Sequence, residues 1–300
     1  MNFELANFEL TLCFLPFLRV YTLTMYKDDT IYYPQDEMNT VLLPVTSGCS
    51  WNRCAFCSMY KDIRYAEVPF PDIEAELRSG YTYTEKIFLT GADPMSIGYE
   101  KMKQILEAVR NHLPYCARVA SYASIRSISG YTVDELSTLH DAGLRLLYIG
   151  FETGRDDVLQ IMRKGHSVAQ AVEQAHKLNK AKVPFNTVVM YGIAGEGESE
   201  KNAVATADMV NRFQTDRIIT MSLVVFFGTE LDGMVKRGEF TPAGPKERLV
   251  EIRTLLENLD PQQPTLFDTT HPTNMIKIQG TLPRDKERLI MEVTRYLDRA

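Results

Sequence analysis

The sequence predicts an α/β protein, a partial (β/α)6 TIM-type barrel followed by a short C-terminal α-rich extension. Short apolar runs alternate with amphipathic stretches of helical length along most of the chain, a pattern typical of βαβ units and a parallel sheet. Six such units are present, fewer than the eight of a closed barrel. The 300 residues are 45% hydrophobic, which is enough for a large core and excludes global disorder.

The six predicted strands are short and apolar, as buried parallel strands are. They cover residues 41–46, 86–90, 118–122, 145–149, 184–190 and 217–225. The helices between them have apolar residues three and four positions apart. They cover residues 71–80, 99–112, 132–143, 154–163, 167–181 and 198–213. The third of these opens at a capping box, Thr132 with Glu135, and stops at Gly143, a residue that favours helix ends.

The last sixty residues differ from the barrel pattern because prolines interrupt them. We expect helices over 246–259 and 284–298, separated by a turn-rich segment over 260–272. The predicted organisation is therefore an N-terminal extension over 1–24, a barrel over 25–240 and a C-terminal extension over 241–300 that covers the open side of the barrel.

The N-terminal stretch shows no export or membrane signal. Its apolar run over 10–18 contains Pro16 and is shorter than the roughly 18 residues of a membrane span. Glu4 and Glu9 come before it, where a secretory signal has basic residues. Fold-like patterning begins after Met25, so one hypothesis takes Met25 as the true start. We expect a cytoplasmic location and no membrane partner.

The charge balance disfavours one class of partner. Lys and Arg number 33 against 39 Asp and Glu, a net charge of −6. This balance argues against a protein that binds nucleic acid through a broad basic face, although a local basic patch is compatible with it.

Cysteine usage points to a metal centre. Three of the five cysteines, Cys49, Cys54 and Cys57, lie within nine residues, and an odd total is no disulfide framework. The three directly follow the first predicted strand, where loops form the functional face of a parallel α/β fold. Three thiolates can hold three irons of a [4Fe–4S] cube. The fourth iron is then open to a substrate or cofactor.

Three other interpretations of the cysteines stay open on spacing alone. Structural zinc needs four ligands, and none of the five histidines is near in the sequence. The pair Cys54 and Cys57 has the spacing of a thioredoxin-like redox motif, but it follows a third loop cysteine. The three cysteines could also simply pack in a core.

At this point the sequence resembles the radical S-adenosylmethionine (SAM) superfamily. That family has Cys-x3-Cys-x-aromatic-Cys after the first strand of a partial barrel. This chain has Cys49-x4-Cys54-x-Phe56-Cys57, with one extra residue in the first gap. The resemblance implies that the three cysteines ligate a [4Fe–4S] cluster and that Phe56 packs beside the cluster and the adenine of SAM.

Later strand ends extend the resemblance, which is closest to the Elongator-subunit and methylthiotransferase branches. Residues Gly91, Ala92, Asp93 and Pro94 are similar to a segment whose backbone contacts the SAM amino group, which an acidic side chain also suits. Ser124 and Arg126 match loosely positions that face the SAM carboxylate or ribose. The resemblance places Glu152, in Gly-Phe-Glu-Thr-Gly, on the ribose hydroxyls. It places Ile193 and Gly195 at the adenine.

The resemblance also implies a reaction. SAM binds the open iron, and the reduced cluster cleaves it to methionine and a 5′-deoxyadenosyl radical, which abstracts hydrogen from a substrate. A flavodoxin- or ferredoxin-type electron donor is implied. Only Cys13 and Cys116 remain outside the triad, too few for a second cluster. Two alternatives are kept: a non-catalytic Fe–S or zinc regulatory protein on the same scaffold, and an RNA-modifying radical SAM enzyme, which the acidic balance disfavours.

Overall fold

The computed structural model describes residues 31–79 and 83–299 of the chain. The predicted extension over 1–24 and the choice of Met25 as the start lie outside the described residues.

Ten strands are present in the described residues, and eight of them form one sheet in the order β1-β4-β5-β6-β7-β8-β9-β10. Neighbours in this sheet are parallel except β9 and β10, which are antiparallel. The strands are β1 (Val41–Pro44), β2 (Thr46–Ser47), β3 (Ala66–Glu67), β4 (Lys86–Thr90), β5 (Arg118–Ala123), β6 (Leu144–Glu152), β7 (Phe185–Tyr191), β8 (Arg217–Ser222), β9 (Thr265–Asp268) and β10 (Gln279–Leu282). The predicted fold class, an open parallel barrel, is confirmed.

Helices connect the strands, and the amphipathic stretches named above form them. They are α1 (Phe70–Arg78), α2 (Tyr99–His112), α3 (Ile125–Ser129), α4 (Val133–Asp141), α5 (Asp156–Ile161), α6 (Val168–Lys180), α7 (Ser199–Val210), α8 (Glu230–Lys236), α9 (Pro245–Asn258) and α10 (Lys286–Leu297). The short helices α3 and α8 were not predicted. No helix within residues 31–79 and 83–299 is long and apolar enough to cross a membrane.

The first predicted strand, over 41–46, divides into two elements. Its parallel pairing with β4 ends at Pro44 opposite Thr90. Thr46 and Ser47 then turn away and pair antiparallel with β3. This short ladder closes the base of the loop over 48–65, which carries the three clustered cysteines, and so fixes where that loop leaves the barrel.

The inner face of the barrel is plugged at its amino-terminal end. Glu37, in a single 3-10 turn, is fully buried. The Arg118 guanidinium donates to both of its carboxylate oxygens, at 2.6 and 2.7 Å, and the Tyr148 hydroxyl donates to one of them at 2.9 Å. Because Arg118 begins β5, these contacts lie at the end opposite the cysteine loop, which leaves the carboxyl ends of the strands for function.

The C-terminal extension holds the two expected helices and also extends the sheet. The segment over 260–272, predicted to be turn-rich, contains β9, which pairs parallel with β8. β10 then pairs antiparallel with β9. Each of these strands has only four residues. So short a segment does not show the alternation of apolar and polar residues that predicts a strand. Helix α9 packs against α7 in the outer layer.

Candidate active site

The cysteine loop is anchored to the segment that follows β6. The Trp51 indole Nε1 donates to the Arg163 carbonyl at 2.7 Å, and the Ala55 amide donates to the Met162 carbonyl at 2.9 Å. The Ala55 carbonyl in turn accepts from the Leu231 amide at the start of α8. These three bonds hold both halves of the loop against distant parts of the chain.

Asn52 shapes the turn between the first two cysteines. Its φ is +45°, a left-handed conformation that Asn tolerates better than most residues. Its Nδ2 donates to the Tyr60 carbonyl at 2.9 Å, and its backbone amide donates to Cys49 Sγ at 3.3 Å. These two contacts fix the backbone between Cys49 and Cys54.

The three thiols lie on one loop, and Cys54 interacts electrostatically with the other two. Burial raises the pKa of the Cys54 thiol, Cys57 and Cys49 raise it further, and Lys164 opposes them. Within the described residues, no three Cys, His, Asp or Glu side chains are close enough to hold a single metal ion. In a cluster each of the three thiolates would bind a separate iron.

Gly91 lets the end of β4 approach Thr46 of β2 closely. Its φ is +127°, and a Cβ built there would lie 2.0 Å from Thr46 Oγ1 and 2.7 Å from the Thr46 carbonyl oxygen. No side chain fits at that distance. This close approach is to Thr46, and the predicted contact of the backbone over 91–94 with the SAM amino group stays a prediction.

Asp93 links three strand ends. Its carboxylate accepts from Ser50 Oγ of the cysteine loop at 3.2 Å, from Ser124 Oγ at 2.7 Å and the Ser124 amide at 3.2 Å, and from Ser127 Oγ at 2.7 Å. Burial raises the pKa of Asp93, and the serine hydrogen bonds oppose that rise. Asp93 and Ser124, both predicted to bind SAM, thus bind each other, and a contact of either with SAM stays a prediction. Ala92 and Pro94 flank Asp93.

Arg126 lies over the cysteine loop. Its guanidinium carbon is 4.1 Å from the centre of the Trp51 ring, a cation–π distance. The Arg53 guanidinium is 5.1 Å from the same ring. The structure therefore gives Arg126 a stacking contact, and its predicted contact with the SAM carboxylate or ribose stays a prediction.

Glu152 ends β6 in a strained and buried position. Its φ is +66°, at a register shift between β6 and β7, and the residue is 5% exposed. Oε1 accepts from Lys164 Nζ at 2.6 Å. Oε2 is buried and has no hydrogen-bond partner among the described residues, a costly state that a ligand hydroxyl would relieve.

Lys164 joins this carboxylate to the cysteine loop. Burial acts to lower the pKa of Lys164, but Glu152, Cys54 and Cys57 outweigh it and hold the pKa above its ordinary value. The ammonium therefore stays charged. Gly150 makes room for the pair, because a Cβ there would lie 2.4 Å from Glu152 Oε1 and 2.9 Å from Lys164 Nζ.

Residues after Glu152 attach this strand end to α7. Thr153 Oγ1 donates to Asn202 Oδ1 at 2.5 Å, and the Gly154 amide donates to Thr206 Oγ1 at 3.0 Å. A Cβ on Gly154 would lie 2.0 Å from the Ala205 carbonyl oxygen. The Gly-Phe-Glu-Thr-Gly pattern thus has a physical reason at each polar or glycine position.

The end of β7 meets the cysteine loop through apolar contacts. Ile193 is fully buried in a cluster with Ala55, and Phe56 packs against that cluster. Gly195 has a φ of +88°, and a Cβ there would approach the Thr241 carbonyl oxygen to 3.1 Å. The structure brings Phe56 and Ile193 together, which are the residues predicted to flank the adenine, although their contact with adenine stays a prediction.

Sequence reasoning missed the roles of Trp51, Ser50 and Lys164. It also missed Glu251 on α9, whose carboxylate accepts from Asn202 Nδ2 and from the Gly192 amide. Lys164 had a usable signal, a basic residue twelve positions after a buried acidic one. Glu251 had none, because its partners lie 49 and 59 positions away.

The fold is a TIM-type partial barrel that carries its cysteine loop at the carboxyl ends of the parallel strands. The chain belongs to the radical SAM superfamily, whose model matches residues 43–207. It is a radical SAM enzyme, and its cofactors are those of the superfamily, a [4Fe–4S] cluster and SAM. Three cysteines on one loop, and a Glu152 Oε2 with no partner among the described residues, are donor groups that fit these cofactors.

Curated relatives are distant. A heme chaperone from Mycobacterium tuberculosis is 26% identical over 56% of this chain and 42% of its own length. A tRNA-2-methylthio-N(6)-dimethylallyladenosine synthase from Alkalilimnicola ehrlichii is 23% identical over 76% of this chain and 52% of its own length. The chain thus spans about half the length of these relatives.

Solved structures share the fold. A radical SAM methyltransferase from Kitasatospora setae, with cobalamin and a [4Fe–4S] cluster bound, matches 66% of this chain and 37% of its own with a TM-score of 0.55 at 16% identity. Coproporphyrinogen III oxidase from Escherichia coli matches 73% of this chain and 50% of its own with a TM-score of 0.54 at 12% identity. Methylornithine synthase matches 86% of this chain and 80% of its own with a TM-score of 0.52 at 14% identity.

Proposed function

We propose that the chain cleaves SAM reductively and uses the resulting 5′-deoxyadenosyl radical to abstract hydrogen from a substrate. Cys49, Cys54 and Cys57 would hold the cluster, which would supply the one electron that cleaves the sulfonium C–S bond into methionine and this radical. Hydrogen abstraction would convert the radical to 5′-deoxyadenosine and leave the unpaired electron on the substrate. A flavodoxin- or ferredoxin-type protein supplies the electron.

The Lys164 contacts carry this proposal. One buried ammonium lies 2.6 Å from Glu152 Oε1 and close enough to Cys54 and Cys57 to interact with their charges. This shared cation supports the proposal that the predicted cluster ligands and the predicted ribose ligand belong to one site. A molecule that reaches both would present its ribose hydroxyls to Glu152 Oε2, which lacks a partner among the described residues.

Other residues of the chain bind and shield the cofactor in this proposal. Phe56 and Ile193 form an apolar wall that excludes water from the adenine side, which protects a radical from side reactions. Asp93 holds Ser50 and Ser124 in place, so the backbone over 91–94 keeps its shape for the SAM amino group. Arg126, which stacks over Trp51, binds the carboxylate or the ribose of SAM in this proposal.

Anaerobic reconstitution followed by a SAM-cleavage assay tests the proposal. With dithionite as the reductant, the expected products are 5′-deoxyadenosine and methionine. A protein that binds iron but forms neither product would be a non-catalytic Fe–S protein on the same scaffold. Tight, salt-sensitive RNA binding would favour the RNA-modifying alternative, which the net charge of −6 disfavours.

A further inference from the structure

Helix α9 lies outside the stretch that matches the family. It nevertheless contacts the end of β7 beside Ile193, a residue predicted to bind SAM. Glu251 on this helix is 1% exposed. Its Oε2 accepts from the Gly192 amide at 2.7 Å, immediately before Ile193 at the end of β7. Its Oε1 accepts from Asn202 Nδ2 at 2.7 Å.

The hydrogen bonds continue from Asn202 to the other strand end. Asn202 Oδ1 accepts from Thr153 Oγ1 at 2.5 Å, and Thr153 directly follows Glu152. A continuous chain of hydrogen bonds therefore runs from Gly192 through Glu251 and Asn202 to Thr153. Glu152, Asn202 and Glu251 also line one small cavity.

A carboxylate this deep is expensive unless each oxygen is hydrogen-bonded. Here each oxygen accepts from one N–H donor: the Gly192 amide at the end of β7, and Asn202 Nδ2 on α7, the helix that follows β7. The two oxygens of a carboxylate are a fixed distance apart. They therefore fix the spacing of Gly192 and Asn202 more narrowly than acceptors on two different side chains would. The residue thus sets a distance as well as adding stability.

We propose that Glu251 is a positioning residue that holds the ends of β6 and β7 at the spacing the adenosine half of SAM requires. This rests on the proposed function, because Glu152 and Ile193 are its predicted ribose and adenine contacts. The C-terminal extension is on this account a part of the SAM site.

A pair of substitutions tests the role by swapping the carboxylate and the amide. Glu251→Gln places an amide nitrogen against Asn202 Nδ2, donor against donor, and Asn202→Asp alone brings two carboxylates together. In the double variant the new amide nitrogen on α9 can donate to the new carboxylate on α7, whose remaining oxygen can accept from Thr153. The exposed Glu257→Gln on the same helix is the matched control.

The measurements use the anaerobically reconstituted protein and three probes: SAM, 5′-deoxyadenosine and methionine. We expect Glu251→Gln to weaken SAM and 5′-deoxyadenosine about tenfold, the effect of roughly one hydrogen bond to a charged group. Methionine affinity and iron content should stay unchanged, and the double variant should recover SAM affinity to within about threefold of wild type.

Three outcomes overturn the proposal. Equal SAM affinity in wild type and Glu251→Gln would do so. A double variant that regains thermal stability but not SAM affinity would show a structural role alone, and it decides the matter even if the single variants fail to fold. A wild-type protein that binds iron but no SAM would remove the proposed function as well, which separates that failure from the first two.

Discussion

The Lys164 ammonium donates a hydrogen bond of 2.6 Å to Glu152 Oε1, and both side chains are nearly buried, at 17% and 7% exposure. Lys164 binds Oε1, and Oε2 has no hydrogen-bond partner among the described residues. Lys164 balances the charge of Glu152 and orients it, and Oε2 is left to bind a ligand.

Removing the cation should destabilise the fold. Lys164→Met leaves a buried carboxylate without its counter-charge, and we expect the free energy of unfolding of the cluster-free protein to fall by about 3 kcal/mol. Denaturant titration measures this. Lys164→Arg keeps the charge and should lose less. Adding Glu152→Gln to Lys164→Met removes the unpaired charge and should restore part of the loss. A Lys164→Met protein as stable as wild type would show that the ion pair does not contribute to the free energy of unfolding.

Gly91→Ala should be far worse than an alanine at another glycine with positive φ. Gly197 is the matched control, since its φ is +78° and an added Cβ there would meet nothing within 4 Å. Both variants incur the conformational penalty of about 1 kcal/mol. Only Gly91→Ala also drives a methyl group into Thr46, which we expect to add about 1–3 kcal/mol. Thermal unfolding midpoints compare the two, and equal losses would refute the close approach of Gly91 to Thr46.

Glu251 should make stability depend on pH. Burial raises the pKa of Glu251 from 4.5 to about 7, while Asn202, Gly192, Ser199 and Arg248 oppose the rise. Between these values the folded protein holds a proton that the unfolded chain has released, so stability from this group falls as the pH rises from about 4.5 through 7. Glu251→Gln removes this dependence, and its thermal midpoint should gain on wild type as the pH rises from about 5 to about 8. An offset that is constant with pH would contradict the shift.

The cysteine assignment predicts which thiols hold iron. Cys49→Ala, Cys54→Ala and Cys57→Ala combined should abolish iron binding after reconstitution, because no protein ligand of the cluster would remain. Cys116→Ala is the control, since its sulfur lies just before β5 and contacts the Arg118 carbonyl at the opposite end of the barrel. Iron analysis decides this, and a triple variant that keeps its iron would refute the assignment.

Much of the fold could be predicted because its signals are local. The strand over 86–90 and the helix over 99–112 are each recognisable within a few residues, through apolar runs or helical spacing. The short strand β9 could not be predicted, because its position depends on pairing with β8 rather than on its own four residues. The division of the first strand after Pro44 likewise depends on the pairing of Thr46 and Ser47 with β3, which lies beyond the cysteine loop.

The site was predictable where chemistry follows a contiguous motif and not where it depends on distant contacts. Cys49, Cys54 and Cys57 stand in one loop, and Glu152 stands in one strand end, so spacing and residue type pointed to both. That Asp93 binds Ser124, or that Arg126 lies over Trp51, depends on loops that meet only in the folded barrel. The ion pair of Lys164 with Glu152 falls between these cases. The sequence shows a basic residue twelve positions after Glu152, but it does not show that the two side chains meet.

Electron paramagnetic resonance of the reduced, reconstituted protein with and without SAM tests the central claim most directly. The account predicts a reduced-cluster signal whose g values shift when SAM is added, because three cysteines leave one iron open to it. The same signal should be absent from the triple cysteine variant. A cluster spectrum that SAM leaves unchanged would contradict the claim that this site binds SAM at its iron.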